Sequence, residues 1–117
     1  MAGCDYERMG LGPLPATEKV FARTGLSVDD LDVIELNEAF AAQSLAVIRQ
    51  AGWTEHLAKI NPLGGALALG HPLGMSGARI IGTAITALER SEGTYALATM
   101  CVGGGQGAST LLKRRGA

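Results

Sequence analysis

Tyr95-Ala96-Leu97-Ala98-Thr99-Met100-Cys101-Val102-Gly103-Gly104-Gly105-Gln106-Gly107-Ala108-Ser109-Thr110-Leu111-Leu112-Lys113 is a pair of apolar runs parted by glycines, and its reading decides the fold. Thr94 to Cys101 and Gly107 to Lys113 are each short, apolar and bounded by turn residues, so each is predicted as a strand, joined by the glycine loop. They form an antiparallel hairpin. Cys101 then stands at the outgoing end of the first strand. Immediately upstream, Ile80, Ile81, Ala84, Ile85 and Leu88 recur at helical spacing, which predicts a helix over Ser76 to Arg90 that closes at a turn near Gly93.

Further back, the same alternation continues. Pro13-Leu14-Pro15 opens a helix running to Arg23, because proline is tolerated in a first turn, and Gly25 suits its stop. Ser27 with Asp29 and Asp30 reads as a capped short turn. Val33, Ile34 and Leu36 then make a brief buried strand ending at Asn37. A helix follows from Glu38 or Ala39 to Ala51, with Gly52 at its end. A turn at Trp53, a helical turn through His56 and a short strand near Ile60 lead to Gly64-Gly65-Ala66-Leu67-Ala68-Leu69-Gly70, after which comes His71. Helices alternating with short apolar strands define a layered α/β unit. Ligands in such sheets sit beyond the carboxyl ends of strands, where Asn37 and Cys101 fall.

With 117 residues and a net charge of −1, the chain is one small domain without the extended basic footprint of a nucleic-acid surface. Lys113-Arg114-Arg115 is a solvated end. No apolar run reaches the ~18 residues of a membrane span, and no basic segment precedes an apolar signal core. Cys4 and Cys101 are the two cysteines, too few for a disulfide framework, so a reducing, cytoplasmic setting is expected. Glycine, at 17 of 117 residues, is about twice its usual share and is clustered in apolar sequence, as in loops packed close to something.

Cys101 and His71 are the candidates for chemistry, since thiols and imidazoles exchange protons most easily near neutral pH. Taken alone, Cys101 is also consistent with a buried inert thiol, His71 with a structural histidine, and Asn37 with a helix cap. Met9 and Phe40 read as apolar core positions and His56 as a surface residue. A nucleotide-binding loop fits poorly, because Gly103 to Gly107 leads into a strand where a phosphate loop needs a helix. No motif suggests a metal or a bound cofactor.

Four segments, in order, resemble the thiolase family: Met9-Gly10-Leu11-Gly12-Pro13, Asn37-Glu38-Ala39-Phe40-Ala41, Gly64-Gly65-Ala66-Leu67-Ala68-Leu69-Gly70-His71-Pro72-Leu73-Gly74 and Cys101-Val102-Gly103-Gly104-Gly105. Leu63 departs from the asparagine many thiolases carry there. The resemblance covers nearly the whole chain, residues 1–117, and implies a C-terminal thiolase domain, one of two similar βαβαβαββ halves. Its sheet would be mixed, with most of the first strand lying upstream of Met1 and only a tail near Ala2 to Asp5 present. In the family that strand is central.

The resemblance further implies acyl transfer between coenzyme A thioesters, by Claisen condensation or thiolytic cleavage of a 3-ketoacyl-CoA. Cys101 would be the acid/base at the α-carbon, titrating near the working pH. His71 would activate the nucleophile and donate to the thioester oxygen. Asn37 would hold a water of one oxyanion hole, and the Gly103 N–H would serve a second. Met9 and Phe40 would flank the pantetheine arm, with Glu38 behind. The nucleophilic cysteine belongs to the family's N-terminal domain, so that domain, acyl-CoA and CoA are the expected partners, in a homo-oligomeric enzyme. The chain alone would be inactive; the competing reading is an orphan domain from a truncated gene. Tyr95 to Cys101 looks more like the degradative, ketoadipyl-type members. Ketoacyl synthases share the fold but typically carry two histidines.

Overall fold

The computed structural model describes residues 1–117. Strands β1 (Ala2–Gly3), β2 (Val33–Leu36), β3 (Tyr95–Val102) and β4 (Gln106–Lys113) alternate with helices α1 (Pro13–Thr24), α2 (Ala41–Gln50), α3 (Ala66–Leu69) and α4 (Ser76–Ser91). The sheet order is β1-β4-β3-β2. The hairpin of β3 and β4 pairs Tyr95 with Lys113 and Val102 with Gln106, while β2 runs parallel to β3 with Leu36 opposite Thr99.

Period-two alternation explains why every residue of β2 is buried. Ile34 and Leu36 face one side and join Leu31, Val47, Ile48, Trp53 and Leu97, with Leu14, Val20 and Phe21 of α1 packed against them. Val33 faces the other side and meets Ala84, Ala87 and Leu88 of α4. The result is α1 and α2 below the sheet and α4 above it. The α4 stripe is narrower than the sequence pattern implies, since Ile85 is largely exposed.

Start and stop signals act as their chemistry dictates. Gly25 (φ 73°) takes the left-handed position after α1 and donates its N–H to Phe21 O. Ser27 and Asp30 form a reciprocal capping box around the short turn at Val28–Asp30. Two glycines allow α1 to press on the hairpin. A Cβ on Gly107 would lie 1.8 Å from Gly12 O, and one on Gly12 would lie 2.1 Å from Gln106 O. Only backbone fits there.

Three expectations change. The helix after β2 begins at Ala41, not at Glu38 or Ala39, because residues 37–40 run outward first and Phe40, in extended conformation, holds the N-cap position. Asn37 therefore caps no helix. The tail at Ala2–Gly3 lies at the edge of the four-stranded sheet, antiparallel to β4, whose other side β3 already occupies. His56 is half-buried and faces Asp29 at 3.4 Å.

Candidate active site

The carboxyl ends of β2 and β3 carry Asn37 and Cys101 side by side. Asn37 N–H donates to Thr99 O at 2.9 Å, extending the ladder by one residue and fixing its side chain next to β3. Asn61 fixes the same strand end from the opposite edge. Its Oδ1 accepts from Leu36 N–H at 2.8 Å, and its Nδ2 donates to Leu36 O at 2.9 Å and to Glu38 Oε1 at 3.0 Å. A side-chain amide thus does for β2 what another strand's backbone would do. Glu38 also accepts from Leu67 N–H at 2.9 Å, tying the first turn of α3 to the site.

His71 arrives on the loop between α3 and α4. The Ser76 hydroxyl donates its single proton to Pro72 O at 3.1 Å, so it accepts from His71 Nδ1–H, 2.5 Å away. In the neutral ring Nε2 is then the free base, and it faces Asn37 Nδ2 at 3.5 Å. Arg79 Nη2 donates to Asn37 Oδ1 at 3.2 Å, which turns the amide's N–H side toward the histidine. One directed chain of hydrogen bonds runs from Arg79 through Asn37, His71 and Ser76 to Pro72 O.

A cavity of about 370 Å³, within the range of small-molecule sites, is lined by Met9, Ala39, Phe40, His71, Leu73, Met100, Cys101, Val102 and Gly103. Five of the six residues singled out in the sequence lie on this wall, and Asn37 stands behind His71. Phe40 is 68% exposed at the rim, so it is not a core residue. Gly103 has open space where a side chain would project. Its N–H can be approached closely.

Burial pushes the Cys101 thiol above its ordinary 9.0, against a weaker pull from a backbone hydrogen bond, and Cys4 adds to the rise. That direction favours the protonated thiol. A thiol that holds its proton is suited to donating it to a carbanion. Ser76, Arg79, Asn61 and Glu35 were not singled out in the sequence. The available signals were one carboxylate inside the buried run Val33 to Leu36 and one cation facing the sheet from α4.

A thiol, an imidazole with a defined free nitrogen and a directed amide, gathered beyond parallel strand ends, can exchange a proton beside a polarised carbonyl. The chain belongs to the thiolase family: residues 1–114 match the thiolase C-terminal domain. It is 58% identical over 113 residues to the 3-oxoadipyl-CoA/3-oxo-5,6-dehydrosuberyl-CoA thiolase of Escherichia coli K12, a match covering 97% of this chain and 28% of the relative. A 3-ketoacyl-CoA thiolase of Alcanivorax borkumensis is 55% identical over 115 residues, covering 97% and 29%. The crystal structure of human mitochondrial 3-ketoacyl-CoA thiolase in complex with CoA superposes with a TM-score of 0.91 at 46% identity, covering 96% of this chain and 28% of that one. The chain thus spans less than a third of these relatives' length, as their C-terminal domain.

Proposed function

We propose that this domain supplies the acid/base half of acyl transfer between coenzyme A thioesters. The observation that carries the reading is that His71 and Cys101 open on one apolar cavity with the Asn37 N–H directed at His71. In the cleavage direction, His71 Nε2 takes the proton of a nucleophilic thiol supplied by the N-terminal domain. The thiolate adds to the 3-keto carbon of a 3-ketoacyl-CoA. The C2–C3 bond breaks, and its electron pair passes to an acetyl-CoA enolate whose α-carbon takes the Cys101 proton.

Incoming CoA then gives its proton to Cys101 and its sulfur to the acyl group, and the released nucleophile recovers the proton held on His71. Claisen condensation is the reverse. His71 and a water held by Asn37 would form one oxyanion hole and the Gly103 N–H would serve a second, each donor lowering the barrier by ~3 kcal/mol. Met9 and Phe40 would guide the pantetheine arm. No metal or resident cofactor enters the scheme.

The reading extends to a cytoplasmic, homo-oligomeric enzyme. It is supported by two free cysteines, by the lack of any helix long and apolar enough to cross a membrane, and by exposed Leu67, Leu69, Leu73 and Met75, of which Leu73 lines the cavity. The test is a chimera in which this chain replaces the matching segment of the E. coli relative, assayed for CoA-dependent loss of a 3-ketoacyl-CoA. The chimera is expected to turn over and the chain alone is not. Turnover by the chain alone at a normal enzyme rate would refute the need for a second domain, and a folded but inactive chimera would refute the reading itself.

A further inference from the structure

Asparagine's carbonyl and amino groups are nearly the same size, so an Asn side chain can present either a donor or an acceptor unless a neighbour chooses. Asn37 is 1% exposed, and the neighbour touching its Oδ1 is Arg79 of α4. An arginine only donates. If the amide turned over, Arg79 would face an amino group and the free nitrogen of His71 would face a carbonyl oxygen, setting two acceptors against each other.

Beneath this contact lies a second one-sided arrangement. Glu35 precedes Asn37 by two residues on β2, hence on the same sheet face, under α4. It is 1% exposed, and its Oε1 has no hydrogen-bond partner; Nε and Nη1 of Arg79 are likewise buried and unpartnered. A buried guanidinium needs an opposing charge. Glu35 supplies it through the low-dielectric interior once ionised: burial raises its carboxyl to about 7 even though the Arg79 charge draws it downward, so the carboxylate faces Arg79 above that pH.

We propose that Arg79, held by the charge of Glu35, is the positioning residue that fixes the Asn37 amide with its N–H toward His71 and the cavity. This deepens the thiolase reading and rests on it. Lysine could balance Glu35 but lacks the rigid, planar donor geometry that aims one N–H at the Asn37 oxygen.

The test uses the chimera with the E. coli relative, carrying Arg79→Met alone or together with Glu35→Gln. The single variant should lower kcat at least about tenfold, as expected for a misaligned catalytic group, with KM changed by less than about a factor of two. It should also lower the melting temperature. The double variant removes both charges, so it should recover melting temperature but not kcat. Recovery of kcat together with melting temperature would overturn the proposal, leaving Arg79 a structural residue only.

A second readout does not depend on turnover. In the 117-residue chain, the Asn37 Nδ2 protons should show a cross-relaxation contact to the His71 ring by NMR. Arg79→Met should abolish that contact while β2 backbone signals persist. Survival of the contact would overturn the proposal even if the chimera were inactive, whereas an inactive unaltered chimera with the contact present would count against the thiolase reading alone.

Discussion

Glu35 should make the domain less stable as pH rises from the mildly acidic range to neutrality. Burial pushes its carboxyl from an ordinary 4.5 up to about 7, against the pull of Arg79 from α4 and with a further push from Glu38. Between those values the folded chain holds a proton that the unfolded chain has released, so unfolding free energy falls with pH there. At about 1.4 kcal/mol per decade of proton concentration, the interval corresponds to a loss of ~3 kcal/mol between pH 4.5 and pH 7. A chain of this length has of order 10 kcal/mol in all. Urea unfolding followed by circular dichroism, at pH 5 and pH 8 and one protein concentration, reads the effect. Glu35→Gln removes the titration and should flatten this part of the slope, although at pH 8, where the carboxylate is charged, it leaves Arg79 without its counter-charge and lowers stability. Equal slopes in the two proteins would refute the reasoning, because they would mean that Glu35 keeps the same pKa when the chain folds.

Removing the Asn61 side chain should cost ~3 kcal/mol, about 1 for each of its three hydrogen bonds; because Asn61 has φ 47°, Asn61→Ala should cost about 1 kcal/mol more than Asn61→Gly, read from urea midpoints. Equal midpoints for the unaltered chain and the glycine variant would sink the role given to that amide. Gly107→Ala should abolish cooperative melting by circular dichroism, since its Cβ would fall 1.8 Å from Gly12 O; a normal melt would mean α1 can lift off β4 at little cost. In the chimera, His71→Ala should slow formation of the acyl-enzyme, while Cys101→Ala should leave acylation intact and block condensation. Rapid quench of bound acyl label separates the two, and equal labelling rates would show the roles to be wrongly assigned.

The hairpin, the long helices and the strand at β2 were legible because each is specified locally, by periodicity and by Gly25, Ser27 and Gly93 at the joints. The positions of Cys101 and His71 followed from where glycine clusters meet those elements. The start of α2 was not legible. Glu38 and Ala39 suit a helix, yet Glu38 is drawn instead to Asn61 and to the Leu67 N–H, partners 23 and 29 residues away. Tertiary hydrogen bonds outweighed local preference there. Arg79 and Ser76 escaped notice for a related reason. On a helix wheel they are ordinary polar positions; Arg79 gains its meaning from Asn37, 42 residues away, and Ser76 from the turn that brings His71 back over the start of α4.

The contact between α1 and β4 has a consequence for how the domain comes to be made. Thr17 Oγ1 and Ser109 Oγ meet at 3.0 Å although they are 92 residues apart. A ribosome adding roughly 5–20 residues per second would need about 5–20 s to supply the second partner after the first. For that interval the apolar side of α1, including Leu14, Val20 and Phe21, lacks the β3 part of the core it packs on, and the Gly12 backbone lacks the β4 strand it presses against. The α1 side of the domain therefore cannot reach its final packing until β4 has been made.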